Sequence, residues 1–234
     1  MKALKVLSID FDYFQKADKG VLTECYPDGV DLGTAVSNMV WSSHYANPHL
    51  EKRIRSVKAD TQGLSDAITI ICNQRNDIPV MVVNSHKHIY QFILDNLNGY
   101  DGVDLTNVDM HPDYKNNNPA LDCGNWISHL EKAVPKLKLT WIANRVSKEV
   151  FGLSGLPVDY DFSKIKNKKF DLVFVCRSDN WFPPHLDDAW VDFLSVIKSQ
   201  FNSMMVNNEI LEPRDIWDYV EETKKVIREL NSAV

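Results

Sequence analysis

The chain has 234 residues, 44% of them hydrophobic and 25% charged, with a net charge of −6 at pH 7. A chain of this size and composition can bury a full core as one globular domain, and its acidic balance carries no electrostatic footprint for nucleic acid. No apolar run approaches transmembrane length and the sequence opens directly on a strand pattern, so the expectation is a cytoplasmic protein without a membrane partner. The four cysteines, Cys25, Cys72, Cys123 and Cys176, form no CxxC pair and read as free, buried thiols of a reducing compartment.

The pattern predicts a first strand over 4–10, running into Asp10-Phe11-Asp12. A long polar and aromatic stretch, 15–59, follows, with a turn signal at Pro27-Asp28-Gly29 and Trp41, His44, Tyr45 and His49 further on. It is too long for an ordinary connection, which makes it an insert or a lid with helix of its own. A helix is predicted over 61–76, a strand over 78–84, and after Ser85-His86-Lys87-His88 a helix over 88–97. A strand over 103–108, a helix over 124–134 and a strand over 137–143 come next. Residues 144–168 read as irregular, with Gly152, Gly155 and Pro157 marking loops. A buried strand over 170–176 leads into Arg177-Ser178-Asp179, and helices over 186–201 and 213–230 close the pattern. Alternating strands and helices predict an α/β fold, a three-layer αβα sandwich with a mostly parallel sheet, as a single domain over 1–234.

Three strand ends offer metal-type ligands. Asp109-Met110-His111-Pro112-Asp113 follows one strand, Asp10 and Asp12 follow another, and His86 and His88 follow a third. Residues two apart on a strand project to the same side, and in an open parallel sheet the carboxyl ends of the strands share one edge. Carboxylates with imidazoles suit Mn²⁺, Fe²⁺ or Zn²⁺. His88, two positions past His86 at a helix start, points away from it and reads as a surface histidine or one that supports a ligand from behind.

These motifs resemble the metal-dependent ureohydrolases, and more closely a family of small relatives that includes the peptide arginases. The resemblance rests on Ile9-Asp10-Phe11-Asp12-Tyr13-Phe14, Asn84-Ser85-His86, Val108-Asp109-Met110-His111-Pro112-Asp113, and Arg177-Ser178 with Pro183-Pro184. The Asp-x-Asp strand stands at the N-terminus here, as in the small relatives, whereas in arginases it follows the Asp-x-His-x-Asp strand. The resemblance implies an arginase-like fold and two divalent ions, Mn²⁺ first among them. It places His86 and Asp113 on one ion, His111 and Asp12 on the other, and Asp109 and Asp10 between them. It also implies hydrolysis of a C–N bond, with a small-molecule or peptide substrate such as an arginine side chain.

The departures concern substrate. The chain has Gly124-Asn125-Trp126, but its nearest histidine, His129, lies four residues past the asparagine on a predicted helix, where it reads first as a plain exposed histidine and second as the candidate for moving a proton alongside Asp109. Phe174 stands where arginases place the acid that grips the guanidinium, leaving Asp179 as the nearest carboxylate. Asn125, Trp126, Arg177, Ser178 and Asp179 are the candidate substrate contacts, with Trp181 and Phe182 as pocket walls. Arg177 could also pair with a ligand aspartate. Two other readings stay open: a deacetylase-like metal amidohydrolase, and a non-catalytic relative that binds a metal or a small ligand.

Overall fold

The computed structural model describes residues 2–27, 32–114, 118–152 and 158–232. Asp28 and Gly29 of the turn signal, and the loop signals Gly155 and Pro157, lie outside the described residues. A seven-stranded sheet forms the middle of the fold: β1 (Ala3–Asp10), β4 (Val80–Val83), β5 (Gly102–Asp109), β6 (Leu137–Ala143), β7 (Val158–Asp159), β8 (Leu172–Cys176) and β9 (Met205–Val206). Their order is β7-β6-β5-β1-β8-β4-β9, and every neighbouring pair is parallel. Strands in the middle of such a sheet are covered on both faces, which explains the unbroken apolar run of β8 and the burial of β1 from Val6 to Asp10.

Alternation along the strands sorts side chains between two helical layers. Leu7 and Ile9 of β1, Val108 of β5, and Val173 and Val175 of β8 pack with α4 (Thr61–Cys72) and α8 (Asp187–Gln200). Leu4 and Val6, Val103 and Leu105, and Leu172 and Phe174 face the other way, toward α5 (His88–Asp95) and α6 (Trp126–Ala133). The same period of two aims Ser8 and Asp10 of β1, and Asn107 and Asp109 of β5, toward the α5/α6 side. Between β4 and β5 the chain crosses from one side of β1 to the other, a topological switch beside which α/β sheets bind ligands.

A third apolar cluster roofs the carboxyl edge of the sheet. The 15–59 stretch folds as β2 (Gln15–Lys16), α1 (Lys19–Cys25), α2 (Thr34–Ala46), α3 (Pro48–Ile54) and β3 (Lys58–Ala59), with β2 and β3 antiparallel. Trp41, Tyr45 and Ile54 from this stretch bury against Met110 just past β5, Val146 just past β6, and Ile216 and Val220 at the start of α9 (Trp217–Ser232). The region predicted irregular holds α7 (Ser147–Phe151), the edge strand β7 and a 3₁₀ turn, Phe162–Ile165. All four cysteines are free, but Cys72 is exposed at the end of α4 and Cys123 is half-buried, which corrects the expectation of uniformly buried thiols. No described helix is long and apolar enough to cross a membrane.

Arg214 ties this roof to the body. It is buried and forks onto Asp187, with Nε donating to Oδ2 at 2.8 Å and Nη2 donating to Oδ1 at 2.6 Å. It also donates to the carbonyls of Asp179 and Phe182. Removing one partner strands the other charge in the interior, which costs about 3–5 kcal/mol. Arg214→Ala is expected to lose stability of that order in urea unfolding, and Arg214→Lys to recover only part, because an ammonium cannot reproduce the planar fork. A loss below about 1 kcal/mol, the scale of an exposed pair, would contradict this role.

Candidate metal centre

Two rows of side chains build the site on the α5/α6 side of the sheet. Asp10 ends β1 and Asp109 ends β5. One pleat lower, Phe174 of β8, Ser8 of β1, Asn107 of β5 and Trp141 of β6 stand side by side in register. Asp12 lies past the strand, in a 3₁₀ turn over Phe11–Phe14 that the Asp10 carboxylate caps by accepting from the Asp12 N–H at 3.2 Å. His111 and Asp113 also leave the strand. Asp113 takes a left-handed backbone (φ 43°), a conformation that aspartate tolerates better than most residues. Convergence of the Asp-x-His-x-Asp stretch therefore comes from a turn after Asp109, and not from three residues on one strand face.

The six candidate ligands meet there. His86 Nδ1 lies 2.9 Å from Asp113 Oδ2, 3.1 Å from Asp109 Oδ2 and 3.2 Å from Asp10 Oδ2. His111 Nδ1 lies 2.8 Å from Asp12 Oδ2 and 3.7 Å from Asp109 Oδ1. Asp109 thus turns one oxygen toward each histidine. Asp10, Asp12, His86, Asp109 and Asp113 are buried and His111 nearly so. Yet His86 Nδ1 and Asp12 Oδ2 make no hydrogen bond despite these short approaches. One imidazole N–H can serve one acceptor, so three oxygens around one nitrogen is poor hydrogen bonding. It is good coordination geometry: ligands about 2.1 Å from an octahedral cation stand about 3 Å from one another. Two groups of this kind, Asp10–His86–Asp109 and Asp12–Asp109–His111, could each hold a metal ion.

The charges point the same way. Burial, reinforced by the Asp109 charge, raises the carboxyl of Asp10 and pushes that of Asp113 up to about 7. Burial and the Asp10 charge carry Asp12 well above the usual carboxylate range. For Asp109 burial pulls upward too, but the His111 and His86 imidazoles beside its two oxygens prevail and hold it well below normal. Burial would lower both histidines, yet the surrounding carboxylates raise them well above an ordinary imidazole. Four buried carboxylates call for positive charge, and in the protein alone the two imidazoles supply it.

Several supporting groups escaped the sequence reading. Ser8 Oγ lies 2.7 Å from His86 Nε2, Asn107 Nδ2 donates to Asp109 Oδ2 at 3.3 Å, and Trp141 Nε1 donates to the Asp109 carbonyl at 3.0 Å. A signal existed: Ser8 and Asn107 are polar residues inside apolar strands, each two positions before a ligand aspartate. Trp126, expected to touch substrate, instead donates from Nε1 to Asp113 Oδ2 at 2.7 Å and rests its ring 4.9 Å from that of His86. Asn125 spends its side chain on the loop before α6, donating to the carbonyls of Asn118 and Ala120 and accepting from the Asp122 N–H. His129 rests edge-on against Tyr90 of α5, one turn beyond Trp126, and does not join the ion pairs at Asp109. His88 is exposed at the first turn of α5.

Arg177 and Asp179 hold each other. Arg177 Nε and Nη2 donate to the two Asp179 oxygens at 2.5 and 3.1 Å, and Arg177 is fully buried. Its pairing is therefore with Asp179 and not with a ligand aspartate. Thr34, at the start of α2, adds a hydrogen bond to Asp179 Oδ2, while Ser37 and Trp41 donate to its carbonyl. Ser178, in a left-handed conformation (φ 58°), turns the chain beside this pair. Ser178 and Asp179, with Asn84, His86, Cys123 and Trp181, line a cavity of about 10 Å³, room for about one water. A cleft of about 890 Å³ lies elsewhere, lined among others by Tyr13, Arg145 and Tyr160, and its lining includes none of the six ligands.

A ligand bound at a hundred times its dissociation constant adds about 2.7 kcal/mol, which for a chain of this size raises the melting midpoint by about 5–10 °C. Saturating Mn²⁺ or Zn²⁺ is expected to produce a rise of that order, reversed by chelator and absent in Asp109→Ala; equal midpoints with and without metal would argue against the centre. No protein-family model, curated protein or solved structure matches this chain.

Proposed function

We propose that the protein is a hydrolase of C–N bonds built around a pair of divalent cations, with Mn²⁺ as the first candidate. One observation carries the reading: two histidines each turn Nδ1 toward carboxylate oxygens, and Asp109 offers one oxygen to each. A single structural cation would need neither the second histidine nor a carboxylate shared in this way. Such cations, held by Asp10, Asp12, His86, Asp109, His111 and Asp113, would supply Lewis acidity and lower the pKa of water at the site.

The chain's own residues supply position and enclosure. Asp10 and Asp109 anchor the centre to the two most extensively paired strands, so the ligands stand on rigid backbone. Trp126 fixes one Asp113 oxygen, and the turn at Asp12 is fastened to the β5 side by the Met110 N–H, which donates to Asp12 Oδ1 at 3.4 Å. Phe151 and Trp181 close on the His111 ring at 4.7 and 4.4 Å, shielding it from bulk water. The small cavity beside His86 admits water but not a substrate, so binding requires part of its wall to move.

The resemblance to ureohydrolases favours a guanidinium carbon as the target, in arginine of a peptide or a small molecule. A second reading, hydrolysis of an amide, is favoured by the pairing of Asp179. It is the acid among the described lining residues of the cavity apart from the ligand cluster, and both its oxygens are engaged by Arg177. An amide needs no such acid. Protein purified without chelator is expected to carry about two manganese ions per chain, the stoichiometry of a two-metal site, and to release urea from guanidino substrates. Hydrolysis of acyl-lysine without urea would select the second reading, and absence of both metal and turnover would reject the two together.

A further inference from the structure

We infer that Ser8 is a positioning residue that holds His86 in the tautomer able to bind a cation through Nδ1, and that it makes the two cation sites unequal. The inference rests on the metal-centre reading above. A neutral imidazole has one N–H and one lone pair. With Nδ1 surrounded by the oxygens of Asp10, Asp109 and Asp113, its lone pair must face the cation and the proton must sit on Nε2. A buried N–H needs an acceptor, and Ser8 Oγ stands 2.7 Å away, with both residues out of contact with solvent. The two aromatic rings that cover His86 offer no acceptor in its place. Phe174 stacks on it at 5.5 Å with an interplanar angle of 6°, and Trp126 covers it at 4.9 Å. These contacts fix the plane of the ring but leave it free to turn over about Cβ–Cγ, which would put the carbon Cδ2 where Nδ1 stands; the hydrogen bond between Nε2 and Ser8 Oγ selects the orientation in which Nδ1 faces the carboxylates.

His111 has no such support. Its Nε2 is buried without a hydrogen-bond partner, between the rings of Phe151 and Trp181. Nearly all metal-ligating histidines donate their second N–H to an acceptor, and loss of that acceptor costs 10–100-fold in affinity. The His86 site is therefore the tighter of the two. Ser8 reaches this position because it precedes Asp10 by two residues on β1, so one strand delivers both a ligand and the brace of another ligand.

Calorimetric titration of the chelator-stripped full chain with Mn²⁺ tests the inference. Wild type is expected to show two classes of site. Ser8→Ala should weaken the tighter class by about 10–100-fold and leave the weaker class unchanged, while Ser8→Thr, which keeps the hydroxyl, should restore it. Nitrogen NMR of the wild-type protein loaded with diamagnetic Zn²⁺ should place the His86 proton on Nε2, a readout independent of any variant's folding. Wild type that takes up no metal would defeat the metal-centre reading itself. Wild type that binds while Ser8→Ala binds identically, or whose His86 carries its proton on Nδ1, would overturn the role of Ser8 alone.

Discussion

Four carboxylates and two imidazoles buried together at one sheet edge set the terms for the rest of this structure. Burial opposes the charged form of every one of these groups, and the spread of their proton affinities follows from that competition. Asp109, facing both histidines, stays ionised, while Asp12 and Asp113, crowded by other carboxylates, are driven toward the neutral acid. Such a cluster is costly to hold in a protein interior unless cations offset it. The surrounding architecture keeps it in place: a parallel sheet buried on both faces, a row of bracing side chains one pleat below, and a helical roof over the edge.

That roof connects the site to the rest of the fold. The Arg177–Asp179 pair lies under the start of α2, and Asp179 receives Thr34, Ser37 and Trp41 from the 15–59 stretch. Arg214, two residues beyond Glu212, whose carbonyl accepts from Arg177, joins the same loop to α8. Packing of the roof and shaping of the cavity beside His86 are thus one network. Any widening of that cavity must disturb side chains that also hold the N-terminal helices down.

Much of this was legible in the sequence, for a physical reason. Central strands in a parallel sheet must be apolar on both faces, so β1, β5, β6 and β8 announce themselves, and carboxylates at their ends stand out against that background. All six candidate ligands were visible on this basis. The two-residue edge strands β7 and β9 carry too few residues to show any period. The 15–59 helices do carry local caps at Asp18 and Asn47, but their packing partners, Met110, Val146 and Ile216, lie far along the chain, where a local pattern does not reach. The roles of Arg177, Trp126 and Asn125 were hidden for a related reason. Each makes contacts set by loop geometry, and a polar or aromatic residue near a site looks the same in sequence whether it faces a substrate or braces a ligand. Ser8 and Asn107 were readable in principle, as polar residues inside apolar strands.

Crystals soaked in Mn²⁺ and measured at the manganese absorption edge test the central claim most directly. The account predicts two anomalous peaks flanking the Asp109 carboxylate, one against His86 Nδ1 and one against His111 Nδ1. Ordered protein with all six side chains in place and no anomalous signal between them would contradict it.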